Sequence, residues 1–142
     1  MIQVHATCVE LDGTACLLRG PPGSGKSDLA LRLIDLGARL VADDQVVLTR
    51  HGQRVVASAP PTLAGMIEVR GLGVMRVQGV AEASLGLVVD LVAPEKVERV
   101  PEPATCEFLG VTLPLIALAP CEASAAAKVR LAARRGISIP VR

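Results

Sequence analysis

Four residues at fixed spacing, Gly20, Gly25, Lys26 and Ser27, carry the plainest chemistry in the chain. They fit the pattern G-x-x-x-x-G-K-[ST], spelled here Gly20-Pro21-Pro22-Gly23-Ser24-Gly25-Lys26-Ser27. Successive backbone N–H groups of such a loop point inward and wrap an anionic phosphate chain. A helix beginning at the lysine adds the positive end of its dipole to that field. Side chains at Gly23 or Gly25 would obstruct the phosphates or forbid the turn. Lys26 supplies a mobile cation for β- and γ-phosphates, and the Ser27 hydroxyl is a ligand for Mg²⁺. The apolar strand before the loop and the helix after it are the context that separates a nucleoside-triphosphate site from a flexible Gly/Pro turn.

Phosphoryl transfer needs two further parts, a second metal ligand and a group that accepts the nucleophile's proton. Two strand ends offer a carboxylate: Asp43-Asp44 after Leu40-Val41-Ala42, and Asp90 after Leu87-Val88-Val89. By hydropathy alone Asp90 is the better metal-binding strand acid. The Asp43-Asp44 pair is more informative because it is doubled. Neighbours on an extended strand face opposite ways, so one carboxylate could serve the metal's water shell and the other the substrate hydroxyl. A solvated Asp-Asp turn is the plainer alternative. His5 stands between Val4 and Ala6 on a strand, where a histidine is more often structural. Glu68 and Arg70 are two apart, on one face of a strand that runs into Gly71-Leu72-Gly73. That face suits a metal ligand plus a phosphate-binding cation, or equally an exposed edge with a modest ion pair.

These residues need elements to hold them. Alternation predicts a strand from Ile2 to Val9, turning at Asp12-Gly13 into the strand that feeds the loop. Leu29, Leu33 and Leu36 make a helical stripe over residues 26–36, ended by Gly37. A short buried strand follows at residues 39–44, then a hairpin folded at His51-Gly52-Gln53. Strands are expected at residues 66–70, 74–77, 84–91 and 113–118, with a surface connection at 92–103 and a last helix over 123–135 capped by Gly136. Strands outnumber helices, so the expected class is α/β: a nucleotide-binding domain with a mixed sheet and flanking helices.

Composition bounds the rest. At 142 residues the chain suffices for one domain, taken as residues 1–142. Phe108 is the sole aromatic residue, which argues against the stacking platforms of RNA and single-strand binders. A net charge of +1 gives no field to draw in nucleic acid or membrane. No apolar run approaches the ~18 residues needed to span a bilayer, and residues 1–5 lack the features of a secretory signal. Cys8, Cys16, Cys106 and Cys121 form no C-x-x-C pair and read as small buried hydrophobes in a reducing cytoplasm. After Glu122 the chain holds no acid, while Lys128, Arg130, Arg134, Arg135 and Arg142 follow. They complement a helix C-terminus, or form a basic docking edge.

Val4-His5, the loop from Gly20 to Ser27, Arg39-Leu40-Val41-Ala42-Asp43-Asp44 and Ile67-Glu68-Val69-Arg70-Gly71-Leu72-Gly73 occur in this order and spacing. Together they resemble the catalytic domain of the HPr kinase/phosphorylase family. The resemblance implies a P-loop kinase using ATP and Mg²⁺ on a serine of an HPr-like phosphocarrier protein of a phosphotransferase system. Position by position it implies that Lys26 and residues 20–27 hold ATP and that Ser27 with Glu68 serves Mg²⁺. Asp43 would be the base, Asp44 and His5 would support it, and Arg70 would lie at the substrate-facing loop. The family forms hexamers, so a homo-oligomer is implied here.

Two departures qualify the likeness. The family histidine corresponds to residue five, so the family's N-terminal domain is expected to be absent. The family's basic stretch after its later strand, associated with phosphorolysis, is replaced by Leu118-Ala119-Pro120-Cys121-Glu122, without an arginine. A kinase with weak or absent phosphorolysis is the resulting expectation. Two other readings stay open: a small-metabolite kinase with Asp90 on the metal, and a regulatory module that senses ATP without transferring it.

Overall fold

The computed structural model describes residues 1–135. The chain runs through β1 (Ile2–His5), β2 (Thr7–Leu11), β3 (Thr14–Arg19), α1 (Lys26–Asp35), β4 (Arg39–Ala42), β5 (Gln45–His51) and β6 (Arg54–Ser58). It continues through β7 (Met66–Val69), β8 (Gly73–Arg76), β9 (Glu82–Leu91), β10 (Ala104–Phe108), β11 (Val111–Leu118) and α2 (Ala125–Arg135). The main sheet is ordered β1-β5-β6-β9-β3-β2-β4, with β11 also on β9 and β10 outside it. It is mixed, as expected: β9 lies parallel to β3 and β11, and the other pairs are antiparallel.

β9 is the organising strand. One edge pairs with β3 along most of its length; on the other edge its first residues take β6 and its last four take β11. Its register sets Asp90 opposite Arg19, at the point where β3 ends and the glycine-rich loop begins. Alternation along β3 then divides the core. Cys16 and Leu18 join Leu29 and Leu33 of α1 and Val129 of α2 on one face. Ala15 and Leu17 join Val46, Leu48 and Val55 on the other. Both helices therefore flank a single face, and the curled strands β1, β5 and β6 cover the opposite one. Each fully buried leucine of these clusters contributes roughly 1.5–3 kcal/mol.

Several boundaries differ from those read in the sequence. The strand expected over residues 2–9 is two strands broken at Ala6, because β1 pairs with β5 while β2 pairs with β3 and β4. β10 was not expected: it is an edge strand, mostly exposed and paired only with β11, so it lacks a buried face to advertise it. The Asp12-Gly13 turn has positive φ at both residues (51° and 87°), the primed geometry that matches strand twist. The expected cap at Gly136 and the basic residue Arg142 lie outside the described residues. Cys8 and Cys16 are buried as anticipated, but Cys106 is half-buried and Cys121, in the β11–α2 connection, is exposed. Among the described residues no helix is long and apolar enough to cross a membrane.

Candidate active site

β3 delivers the loop at Gly20, and α1 carries it away from Lys26. Gly25 is the residue before the helix, with φ at 100°, a conformation that L side chains rarely adopt. No side chain caps α1, so its first backbone N–H groups face outward as an anion cradle. The turn is tight: Ser24 N–H donates to the Pro21 carbonyl at 3.0 Å, and a Cβ on Gly20 would stand 2.5 Å from Ser24 Oγ. Lys26 is almost fully buried, its Nζ donating to the carbonyls of Gly20 and Pro21 at 2.8 and 3.1 Å. The Ser24 hydroxyl is buried without a protein partner. A buried polar group of this kind costs free energy unless something bonds it, and a phosphate oxygen at this loop is a fitting acceptor.

Asp43 is the hub of the site. Its carboxylate is 7% exposed and accepts three hydrogen bonds. Oδ1 takes the Ser27 hydroxyl at 2.7 Å and the Thr7 hydroxyl at 3.0 Å; Oδ2 takes the Glu68 backbone N–H at 3.1 Å. Three separate elements, α1, β2 and β7, thus converge on one carboxylate. The chain turns sharply immediately after it. Gln45 N–H donates to the Asp43 carbonyl at 2.8 Å, and Asp44 adopts φ 71°, a left-handed conformation that aspartate tolerates. That turn sends the two carboxylates apart. Asp44 is exposed, and its Oδ1 lies 3.3 Å from His5 Nδ1.

The remaining sequence-predicted residues divide. Glu68 joins the hub through its backbone, while its side chain is exposed on β7. Arg70 does not share the strand with it: β7 ends at Val69, and Arg70 is exposed in the β7–β8 turn. Asp90 is engaged elsewhere, accepting from Arg19 Nε and Nη2 at 2.8 and 3.1 Å. Phe108 adds a ring 5.7 Å from the Arg19 guanidinium carbon. Asp43 is thus the carboxylate bonded to the loop serine, and Asp90 the one bonded to Arg19. Two contacts around the site went unread in the sequence. Thr7 is a fully buried hydroxyl on a strand, two residues past His5, and that placement is the one signal that could have marked it. Arg32, on the face of α1, donates to the carbonyls of Pro120 and Glu122 and ties the β11–α2 connection to the helix.

The donor set suits a hard cation. Among the described residues no trio of His, Cys, Asp and Glu side chains forms a ready metal cage. Mg²⁺ rarely uses one; it keeps waters and takes one or two protein oxygens plus substrate phosphates. The Ser27 hydroxyl, at the loop and 2.7 Å from Asp43 Oδ1, is an oxygen of the kind such an ion takes.

The family described as HPr Serine kinase C-terminal domain matches residues 1–129. The chain belongs to that family. It is similar to the HPr kinase/phosphorylase of Prosthecochloris aestuarii, 37% identical over 128 residues, covering 82% of this chain and 38% of the relative. It is also similar to the HPr kinase/phosphorylase of Lacticaseibacillus casei, 42% identical over 76 residues, covering 53% of this chain and 24% of the relative. The chain thus spans well under half the length of these relatives. The solved structure of the Hpr(Ser) kinase/phosphatase from Coxiella burnetii superposes with a TM-score of 0.84 at 27% identity, covering 95% of each chain. The α/β P-loop fold expected from the sequence is therefore the fold of this family's kinase domain.

Proposed function

We propose that residues 1–142 form one P-loop kinase domain that transfers the γ-phosphoryl group of ATP to a serine hydroxyl of an HPr-like phosphocarrier protein, in the cytoplasm. The observation that carries this reading is the convergence of Ser27, Thr7 and Glu68 N–H on Asp43 at the mouth of the phosphate loop, in a member of this family. Residues 20–27 hold the phosphates, with Lys26 exchanging its loop carbonyls for phosphate oxygens. Ser27 and Glu68 would hold Mg²⁺ brought in with ATP, and the ion would supply charge neutralisation on the β- and γ-phosphates, leaving Asp43 as the proton acceptor. Asp43 takes the proton as the serine oxygen bonds to the γ-phosphorus and the bond to the ADP oxygen breaks. Its three hydrogen bonds fix its direction, so positioning and charge neutralisation supply most of the rate. Asp44 with His5 supports this centre, and Arg70 presents a cation to the carrier. Assembly into a hexamer belongs to the same proposal.

Phosphorolysis should be weak or absent. Pro120 packs over the loop, its Cβ 3.4 Å from where a Cβ of Gly25 would stand. No cation of residues 118–122 is there to bind a second phosphate. The test uses the purified chain, Mg-ATP and the host's own HPr-like carriers, read by intact mass. A gain of one phosphoryl group that requires both Lys26 and the carrier serine is the expected result. ATP binding without transfer to any carrier would refute the kinase reading, and efficient phosphate-dependent dephosphorylation would refute the second part.

A further inference from the structure

Arg32 stands on α1 about two turns past Gly25, and its guanidinium reaches the connection that follows β11. Nη2 donates to the Pro120 carbonyl, and Nη1 to the Glu122 carbonyl at 3.4 Å. Nε donates to Asp28 Oδ2 at 3.2 Å, one turn earlier on the same helix. We propose that Arg32 is a positioning residue for phosphate binding: by fixing this connection it keeps Pro120 beside Gly25, and so holds the phosphate loop in its anion-binding arrangement before a nucleotide arrives. The proposal rests on the nucleotide-binding reading of the loop and deepens it.

Gly25 is where the loop needs such support. It precedes α1 at φ 100°, and no side chain caps the helix. Glycine there is conformationally free in a way other residues are not, and the first N–H groups of α1 take their direction from it. Its carbonyl is held by Leu29 N–H at 3.0 Å. On the side where a Cβ would stand, Pro120 Cβ and Cγ lie 3.4 and 3.5 Å away. Among the described residues beyond Gly25's own helix and chain neighbours, nothing else comes within 4 Å of that position. The proline ring is therefore the wall on that side of the loop.

Pro120 in turn has one polar group by which to be held. Its nitrogen carries no hydrogen, and among the described residues the donor to its carbonyl is Arg32. The residues before it are fixed by burial and by the backbone. Leu118 and Ala119 are buried, and their carbonyls accept from Val92 N–H at 2.9 Å and Glu122 N–H at 3.3 Å. Residues 121–124 are exposed until Ala125 and Ala126 rejoin the core. Lys128 Nζ lies 3.6 Å from the Glu122 carboxylate, an exposed pair of little weight that leaves Pro120 untouched. Arg32 thus bridges the stretch between two buried anchors. A guanidinium suits the task because its planar fork presents donors at fixed angles, which a lysine ammonium does not.

The experiment measures binding of Mg-ATP and of magnesium tripolyphosphate by calorimetry to the full chain, in the wild type, Arg32→Lys, Pro120→Gly and the double variant. Arg32→Lys keeps the charge and the helix propensity while removing the fork. It should weaken both ligands equally, by about three- to tenfold, because loss of preorganisation falls on the phosphates they share. Pro120→Gly should do the same, and the double variant should bind no more weakly than Pro120→Gly alone. A general loss of stability would not produce that non-additivity. Wild-type affinity in Arg32→Lys would overturn the positioning role and leave the phosphate loop intact. So would a loss confined to ATP, or effects that multiply in the double variant, since Arg32 would then not act through Pro120. Pro120→Gly leaves Arg32 and Asp28 in place, so wild-type affinity in that variant would overturn the proposal even if Arg32→Lys failed to fold. Failure of the wild type to bind either ligand would overturn the nucleotide reading and this inference with it.

Discussion

The phosphate loop and the β7–β8 hairpin approach the same carboxylate from different sides, and the fold builds them by different rules. The loop springs from a strand in the middle of the main sheet, and its lysine is 7% exposed. Its serine is tied to Asp43, and Asp43 in turn to a threonine that solvent does not reach. The hairpin is a separate two-stranded sheet. It touches Asp43 through one backbone N–H, buries Ile67, and leaves Leu72, Val74 and the Arg70 side chain in solvent. Under the proposed function the difference separates two tasks. Groups that must sit still while charge moves are held from several elements at once, whereas groups that meet a partner stand on an exposed turn with freedom to adapt.

That contrast can be broken at its strongest point first. Asp43→Asn keeps the size of the side chain but removes the proton acceptor, so transfer to the carrier should fall by about 10²–10⁴-fold. ATP affinity, read by calorimetry, should change far less. Lys26→Ala should lower transfer by roughly 10²–10³-fold and weaken triphosphate binding together with it. If either variant transferred at the wild-type rate, the loop would not be the chemical half of the molecule.

The hairpin should respond in another parameter. Arg70→Ala is expected to raise KM for the carrier protein by about three- to tenfold with kcat nearly unchanged, the behaviour of a rim charge. A matching loss in kcat would move Arg70 into the chemical half. Thr7→Val keeps the shape of a buried side chain and removes one of the three donors to Asp43. It should cost about 1 kcal/mol in denaturant unfolding and only a few-fold in kcat, because Ser27 and Glu68 N–H still orient the carboxylate.

An effect away from the chemistry, visible only in alkali, concerns the buried strands beneath the loop. Burial pushes the Cys16 thiol up from 9.0 to about 12. In the unfolded chain this thiol ionises first, so the stability it supports is complete below pH 9 and declines as pH rises toward 12. The slope from this group is about 1.4 kcal/mol per pH unit. Cys16→Ala should remove that share of the alkaline slope in pH-dependent unfolding, and Arg70→Ala should leave the slope untouched.

Legibility followed the same division. The loop could be read because its chemistry requires fixed residue types at fixed offsets, and its strand and helix could be read because their periodicities differ. Asp43 was visible as a carboxylate ending a buried strand, but its separation from Asp44 depends on a left-handed residue that alternation does not encode. Hydropathy favoured Asp90 as the metal acid. The fold shows Asp90 already engaged, because the β3–β9 pairing places Arg19 opposite it, and register is a long-range property. Thr7 escaped notice because a threonine in a strand is ordinary by propensity; only the fold brings it to a carboxylate 36 positions away. Glu68 and Arg70 were read as sharing a face, which holds within a strand and fails once the strand stops between them.

The most direct test of the central claim is single-turnover transfer from Mg-ATP to a serine-bearing HPr-like carrier, wild type beside Asp43→Asn, with ATP binding measured on the same preparations. Asp43 acting as the base in a preformed site predicts that both proteins bind ATP, that the wild type moves one phosphoryl group to the serine, and that the variant does so at least a hundredfold more slowly. Equal transfer by the two proteins, or bound ATP with no transfer by the wild type to any carrier, would contradict it.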